Sequence, residues 1–373
     1  MINDKDVQIN ELKTLLDYYS QFKNWAEFIE VFFKIKDKDT GALIPFKLSN
    51  IQRKTFNTLL QQYNREKKVD AIIIKGRRSK QSSLISALAC CYAIFNQSKN
   101  LYLVADLLDN AKKILKNYHN LFFDSDIIRN ILSVAFGVRP KQTIFCSTEN
   151  INLCNGSNFK LASMIGASQG DRASIGAGDM ISFFHGTEFF GEWEAVSRTF
   201  LAMTGINTFK IIESTPRPNC AIHDVYNKAI SSQYSKTIVI FYSWWDDEDN
   251  VASKIDTNFD LNNFFPSQEI LDYANSYNPN LTKDQMGFMA LKLEELKSLK
   301  IFNEEYPATP ELAFMQDTTG FYFEPQIIAK SMRSEFGIYQ NHDINLYPIV
   351  VGIDPAYTGK DKCAIVIRQV MLS

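Results

Sequence analysis

Between residues 70 and 243 the chain alternates two rhythms. Short, nearly continuous apolar runs at 70–75, 101–105, 179–184, 208–214 and 236–243 are separated by stretches of helical spacing, notably 82–96, 107–121 and 192–203. A short continuous apolar run suits a strand buried on both faces, whereas recurrence every three or four residues suits a helix with one packed side. The alternation predicts an α/β fold with a mostly parallel sheet and flanking helices. Ligands of such sheets bind beyond the carboxyl ends of the strands.

Outside this block the rhythm differs. Leu12, Leu15, Leu16, Tyr19, Phe22, Trp25 and Phe28 share one side of a helical stretch over 10–33. "FFKIKDKDTGALIPFKL" then reads as a hairpin turning at Asp39-Thr40-Gly41. "TIFCSTENINLCNGSNFKLASM" predicts an antiparallel excursion turning at Asn155-Gly156. In "LTKDQMGFMALKLEELKSL", Thr282 and Gln285 form a capping box, and Met286, Met289, Leu293 and Leu296 form a buried stripe. "IVVGIDPAYTGKDKCAIVIRQV" reads as two strands around a Gly/Asp-rich turn.

Composition narrows the function. A net charge of −2 excludes polyanion binding by bulk charge, so any such contact needs a local patch. The lysines at 34, 36 and 38, and at 112, 113 and 116, read as solvated faces. The six cysteines form no C-x-x-C and lie near no histidine pair, which argues against zinc and for reduced thiols. The longest apolar run, "SLISALACCYAIF", falls short of the ~20 residues a bilayer requires, and the opening "MINDKDVQIN" is too polar for a secretory leader. A soluble intracellular protein is expected.

Three stretches at strand ends carry candidate chemistry. "KGRRSKQSS", Lys75 to Ser83, follows a strand and opens a small-residue helix. A phosphate loop needs convergent backbone amides, a helix N-terminus, a cation and a hydroxyl for magnesium. Gly76 permits a tight turn; Lys75, Arg77, Arg78 and Lys80 offer charge; Ser82 or Ser83 offers the hydroxyl. Gln81 stands where such a loop carries lysine, and Lys80 where it carries its second glycine. On this stretch alone a phosphate cradle and a solvated basic turn are both open. "GDMISFFHGTEFFGEW" ends a strand in His185-Gly186-Thr187-Glu188. Glu188 is the candidate base for orienting a water, and Thr187 occupies the magnesium-positioning place usually held by aspartate. His185 reads as structural, Asp179 as the end of a turn, and Glu192 as a first-turn helix residue. "FKIIESTPRPN" ends a third strand in Glu213-Ser214-Thr215-Pro216, a sensor of the phosphates or a simple turn.

In this order the pieces resemble one family, the large terminase subunit of tailed bacteriophages. "IPFKLSNIQRKTF" resembles its adenine-reading segment, with Gln52; "KGRRSKQSS" its arginine-bearing phosphate loop; "FFHGTEFFGEW" its acidic strand; "IIESTP" its coupling motif. "FYSWWDDED" and "FNEEYPATPELAF" are similar to later signatures, and "VVGIDPAYTGKDKCAIVI" to the first hairpin of its ribonuclease H-like nuclease.

The resemblance implies a P-loop NTPase core with a helical linker subdomain and a truncated ribonuclease H-like β-hairpin. The expected division is an N-terminal helical and hairpin segment over 1–45, the ATPase domain over 46–250, the linker over 251–345 and the nuclease start over 346–373. ATP and Mg2+ are the expected cofactors. Gln52, Lys75, Gly76, Arg78, Ser79, Lys80, Gln81, Ser82 and Ser83 would hold the nucleotide, with Arg77 and Glu188 catalytic. Ser82 and Thr187 would serve the magnesium, Ser214 and Thr215 the coupling step. With Gln81 in place of lysine, the missing charge falls to Lys75, Arg77 or Lys80.

Asp354 matches a nuclease metal ligand, while Asp361 reads as a turn residue. Two-metal cleavage needs several carboxylates, and the strands that would supply them do not follow, so the chain is expected not to cut DNA. The implied function is ATP-driven translocation of double-stranded viral DNA into a prohead, in the bacterial host cytoplasm. The implied partners are a portal protein, a small terminase subunit and further copies in a ring, with no membrane. The alternative is a degenerate prophage relic that binds nucleotide or packaging partners without turnover.

Overall fold

The computed structural model describes residues 4–37, 40–77, 79–105, 107–163, 175, 178–185, 206–216, 221–233, 235–314, 349–354 and 364–369. Met1–Gln316 forms one compact unit and Asp317–Ser373 a second.

The first unit is built on an eight-stranded sheet. Two helices, α1 (Asp4–Ser20) and α2 (Trp25–Phe32), precede a hairpin of β1 (Lys34–Lys36) and β2 (Leu43–Pro45). Helix α3 (Asn50–Glu66) leads to β3 (Val69–Ile74), α4 (Gln81–Phe95) and β4 (Asn100–Ala105). Then come α5 (Leu108–Ile114), a π-helical turn Leu115–His119, a short helix Asn120–Phe123 and α6 (Asp126–Phe136). Strands β5 (Ile144–Cys146), β6 (Asn150–Leu153), β7 (Asn158–Ser163), β8 (Met180–His185) and β9 (Phe209–Ser214) follow, then α7 (Ala221–Ser231) and β10 (Ile238–Phe241).

The sheet order is β10-β3-β9-β8-β4-β7-β6-β5. From β10 to β7 every neighbouring pair is parallel; β6 and β5 are antiparallel additions. All five expected strands are present, and the 144–163 excursion turns at Asn155-Gly156 as the spacing implied. That excursion is also part of the main sheet, because β7 pairs in parallel with β4.

The parallel strands form where the chain is apolar without interruption. β3 is VDAIII with Ala71 to Ile74 all buried. Helix α4, QSSLISALACCYAIF, is buried along nearly its whole length. Its small side chains let it lie close to the sheet while other helices cover it.

The N-terminal helices supply the cover. Trp25 stacks on Phe209 of β9 and meets Tyr92 of α4 edge-on, while Phe22 contacts Phe56, Tyr63 and Phe209. Each such pair contributes about 0.5–1.5 kcal/mol beyond area burial. The expected single helix over 10–33 is interrupted at Gln21, which is extended, and by a 3₁₀ turn at Phe22–Asn24. Asn24 Nδ2 donates to the Tyr18 carbonyl at 2.6 Å and closes the break.

After β10 come helices α8 (Gln268–Tyr277), α9 (Lys283–Leu296) and α10 (Leu299–Glu305), followed by a short turn of helix at Pro310–Ala313. Thr282 and Gln285 form the expected capping box on α9. A separate core of Trp244, Tyr273, Phe288, Met289, Phe302 and Tyr306 holds these helices. Met286, Leu293 and Leu296 pack against it. Among the described residues no helix is long and apolar enough to cross a membrane. The second unit contains an antiparallel pair, β11 (Ile349–Asp354) and β12 (Ala364–Gln369), with Asp354 opposite Ala364.

Candidate functional site

The parallel strands place several loops at one rim. In register, Ile74 of β3 lies beside Ser214 of β9, and Ser214 beside His185 of β8. The loop after β3, the Ser214–Thr215 turn and the chain leaving β8 therefore depart from one edge of the sheet. Thr187 and Glu188 lie outside the described residues, as do Arg78, Glu192 and Asp361. Asp354 is at the end of β11 in the second unit.

The loop from Lys75 to Lys80 turns directly into α4. Lys80 adopts the left-handed conformation, φ 58° and ψ 12°, at the helix N-cap. A non-glycine residue there costs about 1–2 kcal/mol, so the surrounding contacts must impose the turn. Gln52 is one of them. Its Nε2 donates to the Lys80 carbonyl at 2.7 Å and to Ser83 Oγ at 3.1 Å, and Ser83 Oγ donates to the same carbonyl at 2.6 Å. Gln52 Oε1 meanwhile accepts from the Ser49 amide at 2.9 Å, closing the capping box of α3. The side chain expected to read adenine is thus buried, with both its polar atoms engaged in shaping the loop.

Each described cation of the loop meets a carboxylate. Lys75 Nζ pairs with Glu213 Oε1 at 2.9 Å, where Glu213 is 3% exposed. Arg77 is largely exposed and reaches Glu305 Oε2 at 3.3 Å, while its backbone N–H donates to the Glu305 carbonyl at 2.8 Å. Gly76 allows this approach, because a Cβ at that position would lie 3.3 Å from the same carbonyl oxygen. Lys80 pairs with Asp249, which also accepts from Lys254 at 2.8 Å. Burial pushes the Asp249 carboxyl up, but hydrogen bonds from Lys254 and Lys80 outweigh it and hold the group below its usual range. Burial raises neighbouring Asp247, with the Asp249 charge adding to the effect.

Polar atoms without partners mark the interior of the turn. Gln81 is fully buried, and among the described residues neither its Oε1 nor its Nε2 finds a hydrogen-bond partner; the same holds for Ser79 Oγ and Glu213 Oε2. Such groups cost about 1–3 kcal/mol each and call for a ligand or water. They surround the N-terminus of a 15-residue helix, where amides and dipole favour an anion. Ser82 Oγ donates to Glu213 Oε1 at 2.7 Å. The donor set suits a phosphate chain with a divalent cation: cations beside a helix N-terminus, a half-buried serine hydroxyl, and a carboxylate behind it. Ser214 Oγ donates to the Thr215 carbonyl at 3.0 Å, fixing the adjacent turn.

The structure thus brings Gln52, the 75–83 loop and Ser214–Thr215 together. Glu305 and Asp249 carry no role in the sequence pattern, and Glu213 enters it only within the Glu213–Pro216 sensor or turn. The signal for Glu213 was present in "IIES", a carboxylate closing an otherwise apolar buried strand. The other two pair across long sequence separations and left no local mark. Asp179, expected as a turn residue, accepts from Lys99 Nζ at 3.0 Å and the Asn100 amide at 2.9 Å, joining the starts of β8 and β4.

No family model matches the chain, and no curated protein matches it. Among solved structures it is similar to the large terminase of bacteriophage HK97, with 14% identity and a TM-score of 0.47 over 78% of this chain and 55% of that one. It is also similar to the large terminase ATPase domain of Thermus phage P74-26: 13% identity, TM-score 0.42, covering 70% of this chain and 94% of that one. A third is the large terminase of the thermophilic bacteriophage D6E in complex with ATP-gamma-S: 10% identity, TM-score 0.33, covering 62% and 49%. The chain spans about half the length of the HK97 protein.

Proposed function

We propose that the chain is the ATP-hydrolysing motor of a phage DNA-packaging enzyme, a P-loop ATPase that translocates double-stranded DNA. One observation carries the reading. A basic turn takes the left-handed bend of a phosphate loop despite a lysine at its tightest point, and it surrounds buried, unpartnered polar atoms at a helix N-terminus. The order of motifs along the chain supports the assignment to packaging rather than to another ATPase class.

In this reading the N-terminus of α4 binds the phosphates. Lys75, Arg77, Arg78 and Lys80 neutralise them, and Arg77 reaches the γ-phosphate. Ser82 serves the magnesium, which bound with the nucleotide supplies charge neutralisation where the phosphoryl group leaves. Gln52 positions the loop, Glu188 orients the attacking water, and the Ser214–Thr215 turn transmits the change at the γ-phosphate. Residues 46–250 form the motor and 251–345 the linker. A portal protein, a small terminase subunit and a ring of further copies, inside the bacterial host, complete the proposed assembly.

The test is ATP turnover by the purified chain. Glu188→Ala is expected to lower it by about 10²-fold or more, the usual contribution of a positioned base. Turnover equal to the parent's contradicts the role given to Glu188.

A second reading is favoured by one observation, that Arg77 and Lys80 already pair with Glu305 and Asp249 while Gln81 replaces the loop lysine. On that reading the chain keeps the fold and binds nucleotide or packaging partners without turnover. Thermal stabilisation by ATP with magnesium, in a preparation that hydrolyses none, would select it.

A further inference from the structure

We infer that Glu213 is the carboxylate that positions the nucleotide's magnesium, through the hydroxyl of Ser82. The inference rests on the ATPase reading above. A phosphate-loop serine or threonine holds magnesium best when a nearby carboxylate orients its hydroxyl, and that carboxylate is ordinarily an aspartate on the acidic strand. Here that position is Thr187, which has no carboxylate to offer. The strand between β8 and β3 is β9, and Glu213 lies on it opposite Phe184 on one side and Ile73 on the other.

Three features separate this role from that of a structural ion pair. Ser82 Oγ donates its proton to Glu213 Oε1 at 2.7 Å, so the lone pairs of the hydroxyl are left for a cation. Lys75 Nζ meets the same oxygen at 2.9 Å. Both donors thus converge on Oε1, while Oε2 is buried with no partner among the described residues. Leaving that oxygen buried and bare costs about 1–3 kcal/mol, a cost that a bound hydrated cation would relieve. An oxygen in that state suits a water of the magnesium's hydration shell. Lys75 keeps the buried carboxylate balanced when no metal is present.

The experiment measures ADP binding by calorimetry, with magnesium and with EDTA, in the parent and in Glu213→Gln. The isosteric amide can still accept from Ser82 but has no charge to offer. In the parent, magnesium is expected to tighten ADP binding. In Glu213→Gln the metal-free affinity persists, while the magnesium gain falls by about 10- to 100-fold, the usual effect of losing a group that orients a metal ligand. The exchange leaves Lys75 unpaired and can unfold the protein. Lys75→Met combined with Glu213→Gln removes both charges and is read by the same ratio of affinities with and without metal.

A gain in either folded variant equal to the parent's overturns the inference and leaves Glu213 a structural tie, visible only as a lowered melting temperature. A parent that binds ADP without any magnesium gain also overturns it while sparing the nucleotide site. A parent that binds no ADP overturns the ATPase reading itself.

Discussion

Lys80 is where the loop departs most from ordinary backbone preferences. Its left-handed conformation costs about 1–2 kcal/mol, while its partly exposed ion pair with Asp249 contributes about 0–1 kcal/mol. Strain therefore outweighs the charge. Lys80→Ala keeps the strain and loses the pair, whereas Lys80→Gly loses both. The glycine variant is expected to be the more stable of the two by about 1 kcal/mol, checked by denaturant unfolding. An alanine variant as stable as the glycine one would show that the turn is not strained. The lysine's position at this turn was legible from motif spacing alone, and the structure gives it the backbone angles that spacing demanded. Gln52 was legible only as a member of a motif. Its work, holding Lys80 and Ser83 from a helix 28 residues upstream, depends on a pairing that no local pattern encodes.

At the level of elements, strands were easier to read than helices. A buried parallel strand announces itself as an unbroken apolar run, and β3, β4, β8, β9 and β10 all did. Helix α3 did not, because its buried face carries Gln52, Thr55 and Gln62 among Ile51, Phe56 and Leu59. Those glutamines replace apolar packing with hydrogen bonds: Gln62 accepts from the Asp70 amide at 2.9 Å and donates to the Lys236 carbonyl at 2.8 Å. Hydrophobic periodicity cannot see a helix docked in that way.

The stretch 107–121, helical by its spacing, passes from α5 through the π-helical turn Leu115–His119 before resuming at Asn120. His119 closes that turn, fully buried and edge-on to Phe159 at 5.1 Å. Burial pushes its pKa down from 6.5 to about 4. Above pH 6.5 both folded and unfolded chains carry mainly the neutral ring, and the group adds little pH dependence. Between pH 6.5 and 4 the unfolded chain takes up a proton that the folded chain refuses, so stability is lost as the pH falls through that window. Between pH 7 and 5 this group should remove about 2 kcal/mol. His119→Leu is expected to lose that much less stability over the same interval, as read from denaturant midpoints. Parallel pH dependences in parent and variant would contradict the assignment.

In the first unit as a whole, α3 and the segment after β10 meet at the rim that carries the 75–83 loop, while the aromatic layer of α1 and α2 packs near the start of β9. Helix α3 ties the loop from behind through Gln52, and the segment after β10 reaches it from in front. Trp244 N–H donates to the Pro307 carbonyl at 3.1 Å and Ser243 Oγ to the Ala308 carbonyl at 2.7 Å, which sets Glu305 beside Gly76 and Arg77. Trp244 itself is buried in the second core, edge-on to Trp245. This convergence was out of reach of the sequence, because its pairs link residues at least 28 positions apart. The account stands on the loop at 75–83 being a nucleotide phosphate site. The most direct measurement is a calorimetric titration of ATP-gamma-S with magnesium into the parent chain and into Arg77→Ala. Saturable binding near one site per chain, weakened about tenfold or more by removing the charge-assisted contact, is the predicted result. Absence of binding at millimolar nucleotide, or binding indifferent to Arg77, would contradict it.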